Sequence, residues 1–205
     1  KNFPWTMGFQ PSFLNEGRVY GQYIAANHPG GKIAVLYQND DYGKDILNGL
    51  KKGLGAKASM IVAESSYEVS VPSVDSQVVG LKASGADIFM NFAGPKFAAQ
   101  AIRKVAELDW KPIHVLNIPA ASIGSVIKPA GFEISQGIVS GGFLKDATDP
   151  AMANDAGVRA YLAFLEKYYP GADVTATGNT QGYVMAQAMV QVLKQAGGNL
   201  TRENI

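Results

Sequence analysis

The chain has 205 residues, of which 47% are hydrophobic and 17% charged, and its net charge is +1. This composition is typical of a globular protein with a sizeable core, and it gives no electrostatic argument for binding nucleic acid or an anionic membrane. Because the chain has no cysteine, disulfides, thiol catalysis, Cys-ligated zinc and iron–sulfur clusters are excluded.

Apolar runs alternate with helix-like segments through the first 142 residues. A helix is predicted over 11–27, because Phe13, Gly17, Tyr20 and Ile24 recur at helical spacing. Strands are predicted at 32–38, 60–66, 87–92, 112–116 and 137–140. Helices are predicted between them at 43–54, 74–84, 95–108 and 122–128, the last one stopped by Pro129. Runs that are apolar on both faces are typical of buried parallel strands, so the pattern predicts an α/β fold with helices on both faces of a parallel sheet.

The pattern changes near 141–146, where we place a domain boundary that separates residues 1–142 from 143–205. Two long helices follow, at 150–169 and 179–196, with no strand between them. The second helix carries an apolar stripe formed by Tyr183, Ala186, Val190 and Leu193. We expect this stripe to stay exposed or to pack against another chain.

Signatures of catalysis and of metal binding are absent from the sequence. There is no phosphate-binding glycine loop and no nucleophile elbow. His28 falls at a helix end and His114 inside a strand, where structural roles are favoured. The run Asn39-Asp40-Asp41 lacks the glycine and the distal glutamate of an EF-hand loop, so it is interpreted as the charged start of a helix. The sequence therefore predicts no enzyme, no cofactor and no metal.

Polar and aromatic residues follow four successive predicted strands. In parallel sheets, ligands bind outside the carboxyl ends of the strands. The loops would bring together Tyr42, Tyr67, Asn91, Phe92 and Asn117. Two interpretations remain open here, because the same residue types also serve as ordinary caps and turns.

Five segments resemble the branched-chain amino-acid-type solute-binding proteins of bacterial ABC importers. They are FPWTMGFQP at 3–11, YQNDDYGK at 37–44, LKASGAD at 81–87, FAAQAIRKVA at 97–106 and LKDATDP at 144–150. The resemblance covers all 205 residues. It implies the type I periplasmic-binding-protein fold, in which two α/β lobes clamp a ligand between them. Residues 1–142 would form the second lobe and 143–205 the crossover and helices of an incomplete first lobe, so we expect a fragment.

The resemblance also implies ligand-binding positions. Tyr42 matches the family's second-lobe tyrosine. Gly94 or Pro95 stands where the loop after Phe92 would carry a second aromatic contact. The loop with Asn117 and Ile118 lacks the acidic residue that pairs with an amino-acid ligand. The predicted ligand-binding residues are Tyr42, Asn91, Phe92, Gly94, Asn117, Ile118 and, from the first lobe, Tyr183.

The function implied is that of a non-enzymatic periplasmic receptor that delivers a small solute to an ABC permease in the membrane. No nucleic acid is expected as a partner, and the full-length protein is expected to be a monomer. Because no carboxylate follows Leu116, an organic or aromatic acid is predicted as the solute. The alternatives are a branched-chain or other amino acid as ligand, or a ligand-sensing receptor or regulator domain of the same fold.

Overall fold

The computed structural model describes residues 5, 6 and 8–205, so Phe3, Pro4 and Met7 of the first resembling segment lie outside the described residues. The chain forms two compact units. One is Pro11–Gly142, and the other is Phe143–Ile205 together with the described residues before Pro11. The assignment of these units to two lobes of a clamp stays a proposal.

The larger unit is built on a five-stranded sheet in which every neighbouring pair is parallel, in the order β2-β1-β3-β4-β5. The strands are β1 (Ile33–Gln38), β2 (Ile61–Tyr67), β3 (Ile88–Phe92), β4 (Ile113–Leu116) and β5 (Val139–Ser140). The helices of this unit are α1 (Phe13–Asn27), α2 (Asp41–Leu54), α3 (Asp75–Ala83), α4 (Pro95–Glu107) and the short α5 (Lys128–Ala130). The predicted parallel sheet and its five strands are confirmed.

Each face of the sheet carries its own apolar cluster. On one face, Ile24 of α1 and Ile46 of α2 pack with Val35 and Met90. On the other face, Val78 of α3 and Ile102 of α4 pack with Phe89. The central strands are therefore buried on both sides, which explains their continuous apolar runs.

Glycines allow α1 and α2 to touch backbone to backbone. A Cβ atom added at Gly17 would lie 2.0 Å from the Ile46 carbonyl oxygen, and one at Gly49 would lie 2.2 Å from the Leu14 carbonyl oxygen. Neither position has room for a side chain, so this glycine seam fixes the distance between the two helices.

Two predicted helix boundaries are wrong. The helix near 122–128 does not stop at Pro129, because a π-helical turn over Ile123–Ile127 continues into α5 and the chain turns at Gly131, whose φ is +120°. The wider π turn accommodates the proline ring and its missing N–H. The single helix predicted over 150–169 is instead a 3₁₀ turn at Pro150–Met152 followed by a separate α-helix. The break occurs because Asp155 starts the second helix by accepting a bond from the Val158 N–H at 3.0 Å.

The smaller unit contains α6 (Ala156–Tyr168) and α7 (Thr177–Ala196). Every side chain of α7 is exposed or half-buried, and Val190 and Leu193 keep 49% and 38% of their surface exposed. The predicted exposure of the apolar stripe is confirmed. None of the helices among the described residues has the length and hydropathy of a bilayer-spanning segment.

Candidate functional site

The starts of α1 and α2 lie at the same edge of the sheet, the carboxyl edge at which the strands end. A helix that follows a parallel strand begins at this edge, as α2 does after β1. A helix that precedes a strand runs back along it, so α1 also has its first turn there. The contacts agree: the Phe13 ring meets the Tyr42 ring edge to face at 4.6 Å between centroids.

Tyr42 is a half-buried aromatic residue in the first turn of α2 at this edge. Its hydroxyl accepts a hydrogen bond from the Asn117 side-chain amide and donates to the Ala93 carbonyl oxygen at 3.5 Å. Burial raises the pKa of the Tyr42 hydroxyl, and the nearby Glu16 carboxylate raises it further. The hydroxyl therefore stays protonated, and its position is fixed from both sides.

Asn117 orients Tyr42 and is itself buried. Its Nδ2 also donates to the Ala93 carbonyl oxygen at 3.1 Å, and its Oδ1 accepts from the Ala120 N–H at 3.1 Å. The side chain thus caps the 3₁₀ turn Ile118–Ala120 and leaves no surface exposed. The expectation that the Asn117 amide lines the concave surface is wrong, because its bonding capacity is used within the chain.

Asn91 and Phe92 point to opposite faces of β3, and both have 0% of their surface exposed. The Asn91 Nδ2 lies 3.2 Å from the His114 Nε2 on one face, whereas the Phe92 ring stacks on Tyr20 at 6.0 Å on the other. Successive residues of a strand alternate between faces, and β3 is covered by helices on both. The expectation that these two side chains line the crevice is therefore wrong.

The Gly94 loop is held at the edge by Tyr67. The Tyr67 hydroxyl accepts from the Gly94 N–H at 2.9 Å and donates to the Gln38 Oε1 at 3.0 Å. Tyr67 itself is buried. Of the predicted residues at this edge, Tyr42, Gly94 and Ile118 retain exposed surface. Their contact with a ligand stays a prediction.

Three carboxylates near the edge, those of Asp40, Glu68 and Glu16, are engaged by the protein itself. Asp40 caps α2 through the Gly43 N–H at 3.0 Å and also binds the Gln38 amide. Glu68 binds the Asn39 amide. Glu16, which sequence reasoning missed, accepts from the Ile118 N–H at 2.7 Å and is 7% exposed. The signal for Glu16 was its place in the first turn of a helix that precedes a strand.

Tyr183 belongs to the other unit, where it is half-buried on α7. Its ring contacts those of Tyr161 and Phe164, at 5.2 and 4.9 Å between centroids. It lines a mainly apolar cavity of ≈ 270 Å³ together with Phe143 and Val158. Its ligand role stays a prediction. Among the described residues, no group of three or more His, Asp or Glu side chains could hold a metal ion.

Comparisons with known proteins agree with this architecture. A family model described as periplasmic binding protein matches residues 1–205. The Leu/Ile/Val-binding protein homolog 8 of Brucella abortus is 22% identical over 169 residues, which cover 82% of this chain and 41% of that protein. The chain thus spans about two fifths of the length of the curated relatives it matches.

Two solved structures share the fold. One, a branched chain amino acid ABC transporter from Thermus thermophilus with bound valine, gives a TM-score of 0.81 at 16% identity, over 95% of this chain and 50% of that one. The other, a fatty acid ABC transporter substrate-binding protein from Thermomonospora curvata, gives a TM-score of 0.74 at 22% identity, over 95% and 51%. At these identities, the likeness speaks for the fold alone.

Proposed function

The chain belongs to the periplasmic binding protein family, and we propose on this premise that it is the extracytoplasmic solute-binding part of a branched-chain amino-acid-type ABC importer. The observation that carries the proposal is the Tyr42 arrangement. A half-buried aromatic residue, Tyr42, stands at the carboxyl edge of a parallel sheet, and Asn117 and Ala93 fix its hydroxyl. Rigidly held aromatic surface at this edge is suited to binding a small molecule.

In this proposal, Pro11–Gly142 contributes one wall of the solute site, with Tyr42, Gly94 and Ile118 as the contacting residues. Phe143–Ile205 belongs to the first lobe of the clamp, and Tyr183 is its candidate contact. A membrane permease receives the solute, and the binding protein acts as a monomer. The role is delivery of a solute and includes no chemical step.

The proposed solute is a small organic or aromatic acid without an α-amino group. An ammonium group buried without a partner would cost several kcal/mol. The carboxylates of Asp40, Glu68 and Glu16 already accept hydrogen bonds from the protein. An aromatic ring that packs on Tyr42 requires no such partner, and in this proposal the first lobe holds the carboxylate of the solute.

Isothermal titration calorimetry of the intact protein tests both the solute class and the proposed wall. We expect benzoate or 4-hydroxybenzoate to bind, and leucine and valine to give no heat. Tyr42→Ala should weaken binding about tenfold, which corresponds to about 1.4 kcal/mol. Tyr23→Ala is the matched control, because Tyr23 is an exposed tyrosine in the second half of α1. Tight binding of leucine or valine without any response to the aromatic acids would overturn the solute class. An unchanged affinity in Tyr42→Ala would overturn the proposed wall.

A further inference from the structure

The Tyr20 hydroxyl joins three parts of the larger unit. It accepts a hydrogen bond from the Gly141 N–H at 3.1 Å, and it lies 3.1 Å from the Glu16 Oε1 and 3.2 Å from the Leu116 carbonyl oxygen. Tyr20 is 5% exposed. A hydroxyl has one hydrogen to donate, so it can serve only one of the two acceptors at a time.

The hydrogen goes to Glu16. The Leu116 carbonyl oxygen already accepts a bond from the Ser140 hydroxyl at 2.8 Å, so it does not depend on Tyr20. A carboxylate is the stronger acceptor, because bonds to a charged oxygen are shorter and stronger than bonds between neutral groups. Tyr20 therefore receives a bond from Gly141 and passes one to Glu16, which links the end of β5 to the first turn of α1.

Glu16 extends this link to the carboxyl edge of the sheet. Its Oε1 also accepts from the Ile118 N–H at 2.7 Å. Ile118 directly follows Asn117, whose amide holds the Tyr42 hydroxyl. The loop after β4 is thus bonded to α1 on one side and to α2 on the other.

Both places where the chain passes between its two units adjoin this cluster. The larger unit begins at Pro11 and ends at Gly142. Gly141, the penultimate residue of the unit, is bonded to Tyr20, and Glu16 lies in the first turn of the helix that starts the unit. Space around Gly141 is also limited, since an added Cβ would lie 3.2 Å from the Tyr20 hydroxyl.

We propose that Tyr20 and Glu16 form a clasp that fixes the chain at both of its crossings between the units, with Tyr20 as the positioning residue. The clasp bonds Gly141, near the end of the larger unit, to α1, the helix at the start of that unit. Its connection to the Asn117–Ile118 loop makes the crossings sensitive to what occupies the carboxyl edge. This last step rests on the proposed function, because it requires a solute at that edge.

Amide hydrogen exchange without solute tests the clasp by itself. Tyr20→Phe keeps the ring that stacks on Phe92 and removes the hydroxyl, so the Gly141 amide should exchange about tenfold faster. The amide of Ile88 in the central strand serves as internal reference and should change much less. Tyr23→Phe, which removes an exposed hydroxyl from the same helix, should leave Gly141 unchanged. Unchanged exchange at Gly141, or equal acceleration at Gly141 and Ile88, would overturn the clasp.

Glu16→Gln provides a second variant of nearly the same shape. It keeps an oxygen for the Ile118 N–H but removes the charge, so it should accelerate exchange at Gly141 by less than Tyr20→Phe does. If Glu16→Gln accelerates exchange at Gly141 as much as Tyr20→Phe does, and accelerates exchange at Ile88 equally, the fold itself is lost. That result would contradict the clasp. Calorimetry of the same variants with benzoate measures the coupling to solute. If the wild-type protein binds no solute, the proposed function fails, and the exchange result still decides the clasp.

Discussion

Acidification should destabilise this protein through His114. The imidazole lies on β4 with 7% of its surface exposed, against the Phe89 ring at 4.8 Å and the Asn91 amide nitrogen at 3.2 Å. Burial lowers the pKa of His114 from 6.5 to about 3. A proton on Nε2 would also face the N–H donors of Asn91, so the folded state holds the ring neutral.

The sign of the effect follows from proton binding. Between these two pKa values, the unfolded chain binds a proton at His114 and the folded chain does not. Stability therefore rises with pH across this range and is lost on acidification. At about 1.4 kcal/mol per pKa unit, a fall from about pH 7 to about pH 5 should remove roughly 2 kcal/mol.

Urea unfolding of the wild type and of His114→Gln at the two pH values measures this loss. The wild type should lose about 2 kcal/mol more than the variant. Glu16, whose pKa is raised by burial, acts with the opposite sign, but it is present in both proteins and cancels. His28→Gln keeps His114 in place and should retain the full acid loss. Equal losses in the wild type and in His114→Gln would refute the reasoning.

Three further outcomes are expected. Tyr67→Phe removes the hydroxyl that accepts from the Gly94 N–H and donates to the Gln38 side chain. The Gly94 amide should therefore exchange faster, and stability should fall by about 1–2 kcal/mol in urea unfolding. An unchanged Gly94 amide would contradict this. Gly49→Ala should destabilise the protein by about 3 kcal/mol, because the added Cβ would lie 2.2 Å from a backbone oxygen of α1. Gly80→Ala, where nothing lies within 4 Å of the added Cβ, should stabilise it by about 0.5–1 kcal/mol. Thermal melts that rank the two variants in the opposite order would disprove the seam. Val190→Glu should reduce binding of a hydrophobic dye without lowering the melting temperature, and equal dye binding would show that the stripe on α7 is not the exposed apolar surface.

The sequence was sufficient to locate the strands and the edge where their loops meet. Runs such as Ile33–Leu36 are apolar on both faces, and only a covered parallel strand explains them. The position of the carboxyl edge followed from the alternation of strands and helices along the chain, because the loops after parallel strands meet at one edge. The exposure of α7 was also foreseeable, since no strand is predicted within residues 143–205 that could cover the stripe.

The direction and burial of individual side chains could not be predicted from the sequence. Asn91 looked like a ligand contact because it is polar and ends a strand, but its partner His114 lies 23 positions further along and only the fold brings them together. Glu16 does not follow a strand, so the rule that ligands bind after parallel strands does not point to it. Helix α1 precedes the first strand of the sheet and runs antiparallel to it, so the first turn of α1 lies at the same carboxyl edge.

The glycine seam also has a consequence for how the proposed solute site could acquire a new specificity. Gly17 and Gly49 set the spacing of two helices whose first turns carry Glu16 and Tyr42. A substitution at Tyr42 changes the surface of the carboxyl edge while the helix axes stay in place. A substitution at either glycine displaces an entire helix, together with every group at its start. Adaptation to a different solute is therefore expected to proceed through the exposed positions of the edge, with the seam as the invariant frame that allows those positions to vary one at a time.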